Sequence, residues 1–366
     1  MKTPQKIVMI THSRDVTGML HELRGHLEAR GAEVMRFDTD RFPVEHQVSF
    51  VQDAAGERLR LRADGRDLVL GEGDAIWYRR ANIGGLLPME MEPQLRHGCV
   101  AESKALLRGV MAAAPCFVLD PPERVRDRGH KPWQQRLARS LGMATPRTLM
   151  TNDPEEARAF VASCPGGAIA KMLSAFPVHD ERGEEQVVFT TSLTADHLDK
   201  LGGLRYSPMV FQEKIEKALE LRITAVGRRL FAAAVDSQAV DGAEVDWRER
   251  GISLLRAWTP YALPSAVEAA LHRYMDAIGM NYSAIDVIVE PSGRHVFLEA
   301  NPAGECFWLE YNRPNFPLST AIADVLLGAP GARREFARSA TASTIALGDM
   351  SFETSSTLAA GARVSS

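Results

Sequence analysis

Cysteine is scarce in this chain: four in 366 residues, at Cys99, Cys116, Cys164 and Cys306, with no CxxC pair among them. That scatter excludes a disulfide framework and a thiolate zinc site, and fits reduced thiols in a cytosolic protein. The ten histidines contain no HExxH spacing, so a zincin helix is excluded too. His12, just after the first apolar run, reads as a hydrogen-bonding residue at a loop end. Basic charge is not in excess either. The formal net charge is −4, which argues against a nucleic-acid partner, for which a basic face is expected. The arginine-rich stretch Arg124-Val125-Arg126-Asp127-Arg128 is short and interleaved with acid, and reads as solvated surface. No apolar run is long enough to span a bilayer, and the one in "MKTPQKIVMITHSRD" is too short for a signal-peptide core. The expectation is a cytoplasmic protein without a membrane partner.

What is present is ordinary for a globular chain, 45% hydrophobic and 25% charged, and long enough for two or three domains. "KIVMIT" reads as a buried strand, residues 16–30 as a helix ending at Gly31, and "AEVMRFD" as a second strand, a βαβ opening. Residues 47–70 alternate and turn at "DAAGE" and "ADGRD", suggesting antiparallel additions. "AIWYRR" reads as a further strand and residues 94–113 as a helix. A linker rich in proline and charge, "DPPERVRDRGHKP", leads to a helix over 132–141 stopped by Gly142. A small α+β region follows, with "TPRTLMT", a helix from Asp153-Pro154, and the strands "GAIAKML" and "QVVFTTSL". Residues 209–330 hold a richer sheet, with "MVFQEKI", "LELRITAV" and "RLFAAAV", a hairpin, and a final helix over 316–327. From 331 onward Ala, Ser, Thr, Gly and Arg dominate, a composition that disfavours a packed core.

The hairpin carries the chemistry. In "YSAIDVIVEPSGRHVFLEANPAGECFWLE" the runs 284–290 and 295–301 read as strands around the turn Pro291-Ser292-Gly293-Arg294. Closing over two or four central residues of that turn sets Asp286 directly opposite Glu299 in one unbroken register. Asn301, two positions further, falls on the same face. Facing carboxylates repel unless something cationic lies between them, and burial sharpens the demand. Two carboxylates and one carboxamide form an oxygen-only set suited to Mg²⁺ or Mn²⁺ rather than zinc.

Other cationic residues point at the same place. Lys171 sits inside the apolar run "AIAKML" and must snorkel or meet an anion. Lys131 opens a helix, where a cation and backbone N–H groups can meet phosphate together. Arg222 and Thr224 share one face of "LELRITAV", and "DWR" adds Arg248. Two lysines, two arginines and an acidic cup together describe a polyphosphate site.

On these residues the chain resembles the ATP-grasp ligases, and within them the ribosomal-peptide maturases that make microviridin-type graspetides. The resemblance runs over residues 5–330. It rests on "THSRD", "RFDTDRFP", "IWYRR", "MATPRTLMTNDP", "FQEKIEKALELRITAVG", "DWR" and "FLEANPAG". It implies an ATP-grasp fold of mixed α/β and α+β character, with an N-terminal pre-ATP-grasp α/β domain (1–120), a small central lid domain (121–208), a C-terminal mixed-sheet domain with the metal site (209–330) and a disordered tail (331–366). Position by position, Lys131 and Lys171 match phosphate-contacting lysines. Gln212, Glu213, Lys214 and Ile215 match the hinge that meets adenine, and Glu220 matches an acid near the ribose. Arg222 and Arg248 match arginines facing the transferred phosphoryl group, and Asp286, Glu299 and Asn301 match the magnesium ligands. The lid segment "MLSAFPVHDERGEE" departs from the family, holding only Gly183 where a glycine-rich loop is usual.

The activity so implied is ATP- and Mg²⁺-dependent. An Asp or Glu side chain of a precursor peptide becomes an acyl phosphate, and a Thr or Ser hydroxyl or a Lys amine of the same peptide closes an ester or amide macrocycle. A leader segment of that peptide is expected to dock away from the reaction centre, on the central domain, and the likeness also admits a homodimer. The competing expectation is an ATP-grasp ligase that joins amino acids or extends a protein terminus. The N-terminal motifs favour the peptide maturases.

Overall fold

The structure is a computed structural model that describes residues 3–15, 17–174, 178–179, 185–186, 189–240, 243, 245, 247, 252–313 and 316–336. Its first layer is parallel. Strands β1 (Lys6–Thr11) and β2 (Glu33–Asp38) flank helix α1 (Gly18–Glu28) in sequence, as the opening pattern predicts. Strands β3 (Gln47–Asp53), β4 (Gly56–Ala63) and β5 (Arg66–Leu70) form an antiparallel meander. Strand β6 (Ala75–Tyr78), helix α2 (Pro93–Ala112) and strand β7 (Phe117–Leu119) complete the layer in the order β2-β1-β6-β7. Its strands are nearly continuous runs of buried apolar residues, because both faces are covered.

The segment expected to be a linker is helical. Helix α3 (Pro122–Arg128) has Pro at its first turn, Glu123 beside it, and Arg126 and Arg128 in its last turn, so its charges suit both helix ends. Helix α4 (Lys131–Ser140) follows directly. The lid region contains strand β8 (Thr148–Thr151), helix α5 (Pro154–Ala162) capped by the Asp153 side chain, and strand β9 (Ala168–Lys171). Two-residue strands β11 (Glu185–Gln186) and β12 (Thr191–Ser192) overlap the run "QVVFTTSL" expected as one strand, and β10 (Val178–His179) pairs with β11. Helix α6 (Ala195–Asp199) and strand β13 (Met209–Glu213) finish a sheet ordered β12-β9-β13-β8. Most of "MLSAFPVHDERGEE", with Gly183, lies outside the described residues.

The third sheet contains β14 (Leu219–Val226), β15 (Arg229–Val235), β16 (Thr259–Pro260), β17 (Tyr282–Val289) and β18 (His295–Asn301), antiparallel in the order β16-β15-β14-β17-β18. Helices α7 (Ile252–Leu255) and α8 (Ser265–Ile278) come before β17. Helices α9 (Phe307–Asn312) and α10 (Leu318–Leu327) follow β18. The sequence reading omitted α8, although Leu271, Tyr274, Met275 and Ile278 recur at helical spacing and Gly279 closes it with φ 68°. Those four side chains pack on Leu221, Ile223, Ile285 and Val287. A second apolar cluster runs from Ile7, Met9 and Trp77 through Leu318 and Ile322 of α10 to Phe231, Ala233 and Val235.

The hairpin register departs from the unbroken one expected. The loop has three residues, Pro291, Ser292 and Gly293. The Gly293 N–H donates to the Glu290 carbonyl at 2.8 Å, and Gly293 has φ 82°, the type I turn plus left-handed residue common in such loops. Next to it Val289 pairs with His295 and Val287 with Phe297, yet Asp286 pairs with Glu299. Leu298 is the extra residue of a β-bulge. The bulge reconciles an odd loop with the pleat. It puts Phe297 and Ala300, three apart, on the same apolar face, and turns Glu299 and Asn301 to the other. Without it Asp286 would face Leu298.

Residues 331–334, which fall in the expected tail, pack tightly. Arg333 donates to the Val325 and Leu326 carbonyls, and the fully buried Arg334 donates to the Gly227 carbonyl and Asp276. All four cysteines are free thiols, and burial pushes Cys116 and Cys306 up to about 12. Among the described residues no helix is long and apolar enough to cross a membrane.

Candidate active site

Antiparallel pairing sets a row of side chains straight across the third sheet: Ala233, Arg222, Asp286 and Glu299, with Ala284 and Asn301 in the next row. Directly opposed residues share a face, so register alone delivers Arg222 to Asp286. Arg222 Nη1 donates to Asp286 Oδ1 at 2.8 Å and Oδ2 at 3.1 Å. Burial opposes the Arg222 charge, but the Asp286 carboxylate outweighs it and holds the guanidinium above its usual range. Asn301 Nδ2 lies 3.1 Å from Asp286 Oδ2 and 3.5 Å from Glu299 Oε1.

Helix α4 covers the free edge of β18. Gln134 accepts from the Ala300 N–H at 3.1 Å and donates to its carbonyl at 2.6 Å. Gln135 takes the carbonyl of the bulged Leu298 at 2.5 Å. An uncovered edge strand leaves just such groups unpaired. The same docking brings Lys131, the first residue of α4, onto Glu299 Oε2. Lys171 Nζ, at the end of β9, comes within 3.6 Å of the same oxygen. Thus three cations, Lys131, Lys171 and Arg222, meet two carboxylates, Asp286 and Glu299.

The oxygen set fits a hard divalent cation. The Asn301 amide group lies between the two carboxylates, at the point both can reach, and turning it over presents Oδ1 there. Beneath it the buried Arg222 Nε and Thr224 Oγ1 have no hydrogen-bond partner among the described residues. Such orphans mark a place for solvent or ligand.

The remaining expected residues are distributed unevenly. Gln212 is buried, with Nε2 on Thr148 Oγ1 at 3.0 Å and no partner for Oε1 among the described residues. Glu213 accepts the Arg147 N–H at 2.8 Å, and the Lys214 N–H donates to the Gly167 carbonyl at 2.9 Å. Both residues therefore tie the lid strands together where the chain leaves β13, and Ile215 lies in the crossing to β14. Glu220 shares the face of Arg222 and is held by Lys217 at 2.8 Å. Arg248 lies outside the described residues.

Sequence reasoning assigned no role to a second group beside the cup. Arg79 Nε donates to Asp15 at 2.6 Å, and Arg79 and Arg80 each donate to Glu305 Oε2 at 2.7 Å. Arg79 also lies across the Phe307 ring, 4.6 Å from its centroid. Hydrogen bonds from Arg79 and Thr11 offset burial and hold Asp15 below the usual carboxylate range. The paired arginines of "IWYRR", at the polar end of an apolar strand, were the available signal. Asp120, at the end of β7, accepts the Asn281 and Tyr282 N–H groups at 3.0 and 2.9 Å, and burial pushes its carboxyl up to about 7.

A parallel N-terminal layer, an antiparallel lid sheet and a charged antiparallel sheet closing on one cup make this an ATP-grasp ligase. A family profile described as the MvdD pre-ATP grasp domain matches residues 6–126. The macrocyclase MdnC from Microcystis aeruginosa MRC, solved bound with precursor peptide MdnA, is 40% identical with TM-score 0.79, over 89% of this chain and 100% of that one. The Chryseobacterium gregarium RiPP-associated ATP-grasp ligase, in complex with ADP and a leader and core peptide, is 34% identical with TM-score 0.85, over 91% and 100%. The macrocyclase MdnB from Microcystis aeruginosa MRC is 31% identical with TM-score 0.72, over 88% and 99%. No curated protein sequence matches. The chain belongs to the graspetide-type ATP-grasp ligases of ribosomal-peptide (RiPP) maturation.

Proposed function

We propose that the protein uses ATP to activate Asp or Glu side chains of a ribosomally made precursor peptide and closes ester or amide macrocycles on them. The observation that carries this reading is the convergence of Lys131, Lys171 and Arg222 on the Asp286–Glu299–Asn301 cup. A peptide carboxylate oxygen attacks the γ-phosphorus and ADP leaves, giving an acyl phosphate. A Thr or Ser hydroxyl or a Lys amine then attacks the acyl carbon, losing its proton, and phosphate departs. Each closed ring removes the elements of one water from the peptide.

The chain's own work is positioning and charge. Lys131 and Lys171 pass from Glu299 to the phosphates when nucleotide enters. Arg222, with Arg248, faces the transferred phosphoryl group. Gln212, Glu213, Lys214 and Ile215 line the adenine edge; since the Lys214 N–H is engaged by Gly167, the Lys214 carbonyl and the Ile215 N–H are the groups that would meet the base. Glu220 faces the ribose. Asp286, Glu299 and Asn301 would hold Mg²⁺, and the same oxygen set would accept Mn²⁺. Bound there, the cation neutralises charge on the phosphate oxygens. The leader segment docks apart from the cup.

The test is intact-mass analysis of a candidate precursor, encoded beside this protein, after incubation with enzyme, ATP and Mg²⁺. Loss of one water per ring supports the reading. A mass gain from added free amino acids would instead identify a terminus-extending ligase.

A further inference from the structure

Three N-terminal motifs, "THSRD", "RFDTDRFP" and "IWYRR", have no part in the nucleotide site, yet they form one network at the ends of β1, β2 and β6. Arg36 donates to the His12 carbonyl at 2.8 Å, Thr39 Oγ1 to the Thr11 carbonyl at 2.7 Å, and the Ser13 N–H to Asp40 at 2.8 Å, with Ser13 Oγ on the same carboxylate. The second motif thereby clamps the loop of the first. That loop presents Asp15, which Thr11 Oγ1 (2.6 Å) and Arg79 hold. Arg79 and Arg80 then meet on Glu305. The network ends at this residue.

Glu305 works in three directions. Its Oε2 takes both arginines. Its Oε1 lies 3.2 Å from the Cys306 and Phe307 N–H groups, and its backbone carbonyl accepts Arg222 Nη2 at 2.8 Å. Gly304 lets the segment press onto the sheet: a Cβ there would fall 2.7 Å from Ala284 Cβ, 2.9 Å from Asn301 Cβ and 3.1 Å from Arg222 Nη2. One guanidinium is thus fixed between Asp286 on the sheet and a carbonyl whose place is set by the N-terminal layer.

We infer that Glu305 is a positioning residue, holding Arg222 in its productive orientation through its own carbonyl, with its side chain anchored by Arg79 and Arg80 and Asp15 behind Arg79. The relay gives the three motifs their purpose and makes docking of the N-terminal layer felt at the phosphoryl site. It rests on the reading of Arg222 given above. Glu305→Ala leaves the carbonyl in the chain but frees it to move, and a displacement near 1 Å costs a reaction on the order of 10²-fold.

The experiment is a double-mutant cycle in the full-length protein, with Glu305→Ala, Arg222→Lys and the pair together. It reads kcat for ring closure, nucleotide Kd by direct titration, and melting temperature. The relay predicts a kcat loss of about 10²-fold for Glu305→Ala, nucleotide Kd within about threefold, and a double variant no worse than Arg222→Lys, since residues acting as one unit are not additive. Glu305→Gln, whose single amide oxygen can serve the two arginines or the Cys306 and Phe307 N–H groups but not both, should recover part of the loss. Losses that multiply, or an unchanged kcat in Glu305→Ala while Arg222→Lys is crippled, overturn the relay and leave the site reading standing. Full activity in Arg222→Lys overturns both.

Discussion

The two large sheets handle buried charge in opposite ways. The N-terminal parallel sheet keeps its strand interiors apolar apart from the half-buried Arg36 of β2, and moves Asp15, Asp38, Arg79 and Asp120 to the ends of strands. The C-terminal antiparallel sheet places Arg222, Asp286 and Glu299 across the middle of one face. Helices cover both faces of a parallel sheet, so its polar groups are usable only beyond the strand ends. Antiparallel strands set residues squarely opposite, so a cation and an anion on neighbouring strands neutralise each other within one row. A row of this kind tolerates partial burial and still opens to a ligand on its outer side.

Substitutions in the row and at the strand ends should therefore separate by size and by readout. Glu299→Gln strikes the residue shared by both lysines and the cup. It should lower kcat by on the order of 10³-fold at saturating Mg²⁺ while the melting temperature moves little, and single-turnover ring closure followed by mass spectrometry checks it. Near-normal turnover would mean that the row is structural only. Lys171→Ala should weaken nucleotide binding by roughly 10-fold to 100-fold, as loss of a charge-assisted contact does, and direct titration measures it.

Gln134→Ala acts behind the row. Two backbone groups of Ala300 lose their partner, which should cost about 2 kcal/mol of stability at roughly 1 kcal/mol per hydrogen bond. Chemical denaturation reads that loss directly. The last effect lies in the parallel sheet and is read against pH rather than in activity. Asp120 is raised from 3.8 to about 7 because burial disfavours its charge. Its folded pKa lies above the unfolded one, so its contribution is complete below the unfolded value and is lost as pH rises through about 7. That amounts to at most roughly 1.4 kcal/mol per pH unit inside the window. Asp120→Asn can still accept both N–H groups on one oxygen and should flatten this part of the stability–pH curve. An unchanged curve would show that the carboxyl stays ionised.

Much of the site was readable before any coordinates. Asp286, Glu299 and Asn301 stand out as polar positions in apolar strands, and period-two alternation puts them on one face. Sequence alone gives the Asp286–Glu299 pairing through an unbroken ladder, whereas in the structure a three-residue loop and a bulge at Leu298 together produce it. Proline and charge over residues 120–132 read as a linker, though both suit the short helix α3. The roles of Asp15, Arg79 and Glu305 are not legible locally because their partners stand up to 226 positions apart (Arg79 to Glu305) in the chain.

Alternation, turn residues and the placing of lysine and carboxylate within apolar runs are local properties, and they were enough to mark most strands and to set Asp286, Glu299 and Asn301 on one face. Which cation meets which anion is a long-range matter. Arg222 reaches Asp286 and the Glu305 carbonyl, Lys131 and Lys171 reach Glu299, and the N-terminal motifs reach Glu305 only when three sheets close on one another. Side-chain pairing across a sheet depends on register, and register is a collective outcome of loop length, bulge and core packing rather than a property of any one segment.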